Sequence, residues 1–407
     1  MSPVKIGVVG FGNRGYTFFN TAALKQFKNR AEITAVCEQN RIKFDFARHA
    51  LGEKCFITDD LQEFLKQDLD LVLVTVPQFA HAEVAIAALK SGKNVFVDKP
   101  MARTCEECKA IIAAEKEAAG KLFMGFNLRH HPLTVKIMEQ IKSGKIGFIQ
   151  QMNFMDFYGG GYTYFRRWHR FHKNSGGLTV EKGCHSIDLL NMFAGARPVR
   201  VAAFGGLDRF VPQKDDKTVY CSECSKKDSC EYYMDMEEAA AGVLKATGVA
   251  EQIVNGGQKI DLCVFNSEKD TWDNTVVIIE YANGCRAILG ECFTSSVPEK
   301  YDRTLVMNCW NGQLWADMQN EKLEFFANRP GVHATAGDGE NIPIKSVEGM
   351  HGGADTQMLE YMVHTIENNL PNTEMDSLDG YYAVAVAEAA EKAAENHQVV
   401  EIEAIEK

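Results

Sequence analysis

A chain of 407 residues is too long for one typical core and suits two domains. Its net charge of −11 at pH 7 argues against nucleic acid or an anionic membrane as the main partner, since both favour a basic surface. No apolar run reaches the roughly 18 residues that span a bilayer, and the first strand pattern starts too early to leave room for a cleavable leader, so the expected location is the cytoplasm.

Val4 to Gly10 is an apolar run that breaks into glycines and resumes as a helical pattern, which predicts a buried parallel strand feeding a helix. Gly10, Gly12 and Gly15 form G-x-G-x-x-G. The first permits a tight turn, the second lets backbone N–H groups approach a pyrophosphate, and the third lets helix pack on strand. Any glycine-rich turn can mimic the hexad, so its context decides. A second strand, Ala31 to Cys37, ends in Glu38, close to where a carboxylate accepts hydrogen bonds from ribose hydroxyls. A carboxylate there repels the extra phosphate of NADP, so Glu38 favours NAD, although nearby Arg41 works against it.

Further runs, Cys55 to Thr58, Leu69 to Val76, Asn94 to Val97 and Lys121 to Phe126, alternate with helical segments such as His81 to Lys90. That alternation predicts a doubly wound parallel sheet over residues 1–127. Thr104 with Glu107 reads as a capping box opening a helix to Ala119, and Cys105 and Cys108 within it as packed thiols rather than a redox pair. Beyond Asn127 the pattern changes. After a helix, Leu133 to Lys142, come strand-like stretches joined by Asn283-Gly284 and Asn311-Gly312, both hairpin signals. Residues 128–407 are therefore expected to form an α+β domain with a mostly antiparallel open sheet, serving substrate binding and oligomerisation. A polar insertion at about 206–260 interrupts it, and helices Thr356 to Asn369 and Leu378 to Glu395 close it. The insertion carries Cys221, Cys224 and Cys230, one ligand short of a structural zinc, so a reduced loop is preferred to a metal.

The strand ending at Val97 delivers Asp98-Lys99-Pro100 to the carboxyl edge of the sheet, where doubly wound folds bind ligands. With the N-terminal glycine fingerprint, Val76-Pro77 and His81, this motif resembles the glucose–fructose oxidoreductase, inositol dehydrogenase and MocA family (Gfo/Idh/MocA), whose motif is usually Glu-Lys-Pro. The resemblance extends through Gly125 to His130, through Ser175-Gly176-Gly177 to Asp188, and to His351-Gly352-Gly353-Ala354-Asp355. It implies NAD held by Gly10, Phe11, Gly12, Asn13, Arg14, Gly15, Glu38, Pro77, His81, Asp98, Lys99 and Asn127. It makes His185 the catalytic histidine, with Glu181 where many members have aspartate, and it implies a homodimer or homotetramer.

Read without the family, Glu181, His185 and Asp188 at i, i+4 and i+7 share one helical face, where a carboxylate would raise the basicity of the imidazole. The competing reading is a half-buried helix with a capped or hydrogen-bonded histidine. Arg166-Arg167-Trp168-His169-Arg170-Phe171-His172 mixes cations with aromatics. It reads as a pocket wall for a sugar, or else as a surface loop or subunit contact. The expected function is hydride transfer between NAD and a secondary alcohol of a sugar, cyclitol or related polyol. His185 serves as base, Lys99 polarises the same oxygen, and Arg129, Trp168, His169 and Glu181 line the substrate site. The alternatives are a redox-assisted glycoside hydrolase or lyase that yields no net NADH, and a non-catalytic NAD- or sugar-sensing regulator.

Overall fold

The computed structural model describes residues 2–20, 27, 29–294, 303–328, 339–345 and 347–406. Its first layer is built from β1 (Val4–Val9), β2 (Ala31–Cys37), β3 (Phe56–Thr58), β4 (Leu71–Val74), β5 (Asn94–Val97) and β6 (Leu122–Met124). These lie in the order β3-β2-β1-β4-β5-β6, and every neighbouring pair is parallel. Helices cover both faces, which is why β4 is buried at all four positions and reads as an unbroken apolar run. The strand order reverses between β1 and β4, so a crevice opens at their carboxyl ends.

The helix His81–Lys90 stands where the sequence predicts it, and the helix after Thr104 runs Cys105–Glu117. Its capping box is only half formed. Thr104 Oγ1 accepts from Glu107 N at 3.2 Å, but the Glu107 carboxylate turns to Arg103 N (3.0 Å) and its guanidinium instead of reaching back to Thr104. Cys108 is buried and Cys105 half-buried, and burial pushes the Cys105 thiol up to about 12, which suits packing rather than thiolate chemistry.

The second sheet contains β7 (Ile149–Phe157), β8 (Pro198–Gly206), β9 (Asn274–Tyr281), β10 (Arg286–Cys292), β11 (Arg303–Cys309), β12 (Gly312–Asp317), β13 (Lys322–Ala327), β14 (Glu340–Asn341) and β15 (Val400–Glu401). The order is β14-β13-β12-β11-β7-β10-β9-β8-β15. β7 and β10 pair in parallel, and the other described pairs are antiparallel. Both Asn-Gly hairpins form where expected, between β9 and β10 and between β11 and β12. Helices Gly183–Ala194 and Ser377–Asn396 cover one face of this sheet. Phe204, Val276 and Ile278 stand exposed on the other.

Residues 207–273 form the insertion between β8 and β9, with helices Met236–Thr247 and Glu251–Val254. Part of it closes a small apolar core of Phe165, Leu178, Phe210, Val264, Phe265 and Phe293. The long helix Ser377–Asn396 also packs on Cys105–Glu117, so buried side chains from both sheets join in one cluster. Among the described residues no helix is long and apolar enough to cross a membrane.

Candidate active site

At the carboxyl end of β1 the three glycines have three separate jobs. Gly10 has φ +89°, and a Cβ there would lie 2.9 Å from Thr75 O and Val76 N, so side chains are excluded by both strain and space. A Cβ on Gly15 would lie 2.5 Å from Gly10 O, which is the close approach of the helix Asn13–Asn20 to the turn. Gly12 is open instead, its nearest neighbour being Lys43 Nζ, 3.8 Å from a built Cβ. Thr75 Oγ1 seals the turn by donating to Gly10 O at 2.7 Å. Its position at the end of β4 was the sequence signal that could have found it. Glu38 is buried at the tip of β2, its carboxylate accepting from Phe11 N and Asn40 N, both at 3.0 Å. Arg41 is turned away into an exposed pair with Asp59 at 2.6 Å. Asn127 is 2% exposed; its Nδ2 donates to Asp355 Oδ1 at 2.9 Å while its Oδ1 has no partner among the described residues. An open glycine cradle, a carboxylate buried at the tip of β2 and an orphaned buried amide oxygen fit a dinucleotide in this crevice.

Arg14, expected to serve the cofactor, is bound to Asp98 (3.1 Å) and Asp355 (3.2 Å). It ties the glycine helix to the Lys99 turn and to the helix Ala354–Glu367. Asp355 also accepts from His351 at 2.7 Å, and although burial works the other way, its bonds to His351 and the charge of Arg14 hold its carboxyl down at about 2. His81, also expected at the cofactor, is 1% exposed, with Nδ1 2.8 Å from Pro100 O and Nε2 2.9 Å from Val76 O. Both ring nitrogens lie against backbone carbonyls, and the ring so ties the end of β4 to the turn bearing Lys99. Pro77 sits just before this histidine, capping the 3₁₀ turn Gln78–Ala80.

Lys99 Nζ donates to the backbone O of Glu181 at 2.9 Å and to its Oε1 at 3.1 Å. Burial alone would lower the lysine, but the Glu181 carboxylate outweighs it, and Lys99 stays an ammonium above its ordinary range. Glu181 is 3% exposed and also accepts from Gln78 Nε2. Gln78 is a buried site residue that sequence reasoning missed. His169 Nε2 stands 3.8 Å from Glu181 Oε1, its ring stacked on Trp168 at 3.7 Å, and Phe79 meets Trp168 edge-on at 6.1 Å. The basic–aromatic stretch therefore divides. His169 faces Glu181 with Trp168 stacked on it, while Arg166 and Arg170 donate to carbonyls of Leu262 and Glu268 and anchor the insertion.

His185 lies in the first turn of Gly183–Ala194, half-buried, with Nδ1 lacking a partner among the described residues. The shared carboxylate face expected of this helix is not formed. The helix kinks at Lys182, between Leu178–Glu181 and Gly183–Ala194, and the two acids diverge, Glu181 to Lys99 and Asp188 to Arg129. The expected rise in basicity is reversed as well. Burial, then Lys99, Lys182 and Arg303, hold His185 well below its ordinary value, so it is a neutral imidazole at neutral pH. Next to it in sequence, Ser186 Oγ donates to Asp156 of β7 (2.7 Å), which also accepts from Arg303 Nε (3.0 Å), and burial and then Asp156 push its cross-strand neighbour Glu291 of β10 well above the usual carboxylate range.

Arg129, expected to bind substrate, is locked instead. Nε and Nη2 grip Asp188 at 2.8 and 2.5 Å, and Nη1 donates to Asp379 at 2.9 Å and to Glu374 O. In the insertion, Cys221 is buried against Arg166, and among the described residues no group of three or more His, Cys, Asp or Glu is placed to hold a metal ion.

Residues 4–126 match the family described as "Oxidoreductase family, NAD-binding Rossmann fold", and residues 138–402 match its "C-terminal alpha/beta domain". The chain is 27% identical over 378 residues to YteT of Bacillus subtilis, named as an oxidoreductase, with 86% of each chain covered. It is 25% identical over 248 residues to the scyllo-inositol 2-dehydrogenase (NAD(+)) of the same organism, covering 60% of this chain and 67% of that one. A levoglucosan dehydrogenase solved with NADH and levoglucosan has the same fold, with a TM-score of 0.74 at 17% identity over 99% of this chain and 100% of that one. With both halves of its architecture matched, and with Lys99 following the last residue of β5 at the carboxyl edge of a glycine-cradled sheet, the chain belongs to the Gfo/Idh/MocA oxidoreductase family.

Proposed function

We propose that this NAD-binding oxidoreductase moves a hydride between nicotinamide and a secondary alcohol of a sugar, cyclitol or related polyol. The observation that carries the reading is the pairing of a permanent ammonium with a neutral imidazole. An ammonium has three N–H donors. Glu181 takes two of those on Lys99, which leaves one for a substrate oxygen. Neutral His185 can accept the hydroxyl proton as negative charge grows on that oxygen, and Lys99 stabilises the charge. The bound cofactor supplies the hydride acceptor. Gln78 and Lys99 hold Glu181 still, while Trp168 with Phe79 offers apolar ring faces of the kind that suit the C–H face of a sugar. The similarity to the inositol dehydrogenase supports a polyol substrate.

Glu38, fixed by two backbone N–H groups, supports NAD over NADP, since Arg41 is committed to Asp59. Phe204 and Val276, and Ala202 and Ile278, are registered partners on β8 and β9, so the exposed Phe204, Val276 and Ile278 share one uncovered face. That face supports a homodimer or homotetramer, which sedimentation would count. The test of function is NADH appearance with NAD and a panel of sugars and cyclitols. Net NADH with at least one is the expected result. Cleavage of a glycoside without net NADH would replace the dehydrogenase by a redox-assisted hydrolase. Binding of NAD with no turnover of any compound would favour a sensor.

A further inference from the structure

The insertion does more than close the small apolar core beside the active site. After the helix Met236–Thr247 the chain turns through Gly248 and crosses to the first sheet. Val249 is 9% exposed and joins the main core, with Ile253 and Val254 packed against it. The segment then runs along the turn that follows Glu38. Gly256 O accepts from Asn40 Nδ2 at 3.0 Å. Gly256 has φ +63°, and a Cβ there would stand 2.4 Å from Asn40 Nδ2 and 3.1 Å from Lys43 Cε. Gly257 faces Ile42, and Gly248 faces His49 across 2.9 Å from a built Cβ. A segment distant in sequence thus lies flat on residues 40–49, and glycine is what allows the approach.

Lys43 is the residue on which this contact converges. Its stem passes Gly256, and its ammonium ends at the open side of Gly12, where a Cβ would lie 3.8 Å away. Among the described residues the Lys43 ammonium makes no ion pair or hydrogen bond, the residue's one bond being from its backbone N–H to Asn40 O at 2.9 Å, whereas Arg41, two positions earlier, is taken by Asp59. Asn40 holds the turn from the other side, donating its N–H to Glu38 and accepting from Ile42 N at 3.2 Å. We propose that Lys43 is a ligand of the cofactor diphosphate and that residues 248–257 are a strap that aims it at Gly12. The proposal rests on the dinucleotide reading of the crevice and adds to it a cation outside the glycine motif. The strap acts on the cofactor through Lys43, so it is a positioning element. Because the ammonium faces the diphosphate turn and not the ribose carboxylate, its contribution is the same for NADH and NADPH.

Binding, not turnover, tests this. Dissociation constants for NADH, NADPH, ADP and adenosine are measured by fluorescence or calorimetry on the full chain, as the parent and as Lys43→Met, Gly256→Ala and the double variant. Lys43→Met is expected to weaken NADH, NADPH and ADP by a common factor of about ten, the order of one charge-assisted contact, and to leave adenosine unchanged. Gly256→Ala should weaken the same three by less, mainly through faster release, and the double variant should be no worse than Lys43→Met alone. Parental ADP affinity in Lys43→Met overturns the proposal, as does a loss confined to NADPH, which would move the lysine to the ribose phosphate. Additive losses in the double variant would overturn the strap's action through Lys43. A parent that binds neither dinucleotide would instead refute the cofactor reading itself. Should Gly256→Ala fail to fold, hydrogen exchange of residues 248–257 in the parent decides the strap, with slowing by NADH expected and its absence counting against it.

Discussion

Two buried cation–carboxylate pairs pin the kinked helical segment 178–194 to neighbouring elements, and they differ in what they leave over. Arg129 spends four hydrogen bonds on Asp188, Asp379 and Glu374 O, and its cation also lies 5.7 Å from the Phe126 ring. With five N–H donors in a guanidinium, it is nearly saturated and has little to offer a ligand. Lys99 makes two bonds, both to Glu181, and its charge is felt by His185, whose Nδ1 has no partner among the described residues. A satisfied pair is a fastener, whereas an unsatisfied one beside a neutral base is the raw material of catalysis. The same carboxylate spacing in the sequence produced both.

The largest effects should come from breaking the unsatisfied pair. Lys99→Met and His185→Ala are each expected to lower kcat by about 10²–10⁴, with NADH binding retained by fluorescence titration. Since they act on one oxygen, the double variant should lose far less than the product of the single losses. Lys99→Met should cost little stability, because Glu181 keeps its bond to Gln78 and burial already raises its pKa towards protonation. A His185→Ala enzyme within a few-fold of the parent would return that histidine to a packing role.

Arg129→Met should show the opposite pattern. It leaves the buried Asp188 carboxylate and Glu374 O without their donor, while the half-exposed Asp379 keeps the Asp376 N–H, so a loss of about 3–5 kcal/mol in denaturant unfolding is expected, with kcat of the folded fraction near the parent. A fall in kcat with unchanged stability would reverse the roles assigned to the two pairs.

This division explains which parts of the molecule were legible in the sequence. The glycine triplet, the β1 and β4 runs and both Asn-Gly hairpins were readable because each is a local demand on backbone conformation or burial, met by residue types at fixed offsets. The helical face of Glu181, His185 and Asp188 was read correctly as a spacing and wrongly as a neighbourhood. Spacing cannot show the kink at Lys182, nor that Asp379, far along the chain, competes for the cation beside Asp188. Arg14, His81 and Arg129 all carry polar groups in the right stretch, but burial turned each towards backbone or carboxylate partners. Gln78 announces itself only by lying beside Pro77 at the end of β4, and the reach of residues 248–257 to Asn40 leaves no sequence trace.

The pH profile of turnover sharpens the catalytic side of the comparison. A histidine with the ordinary value of 6.5 would lose about thirty-fold of its free base by pH 5. Burial and three nearby cations hold His185 well below that value, so kcat/KM for alcohol oxidation should stay level from about pH 8 past 6.5, its acid limb lying lower. An acid limb centred near 6.5 would point to a histidine outside this cationic setting.

The smallest effect belongs to the fastener. Asp188 is pushed up to about 6, chiefly by burial, against the pull of Arg129. Its folded value lies above the ordinary 3.8, so folding takes up a proton between the two, and this group favours the fold at low pH and loses that advantage as pH rises through about 6. Arg129→Met removes the cation that lowers Asp188 and drives the folded value further up. Near pH 5 the carboxyl is largely protonated in parent and variant alike, so little of the cost is then due to its charge. Between about pH 6 and 8 the parent ionises Asp188 against its cation, while the variant either holds the proton or buries a bare charge. The stability gap should therefore widen with pH by about 1.4 kcal/mol for each unit of added shift. Denaturant midpoints at about pH 5 and 8 measure it. A gap of equal size at both would assign the cost to lost packing on Phe126 and to the Glu374 carbonyl, which do not titrate in that range.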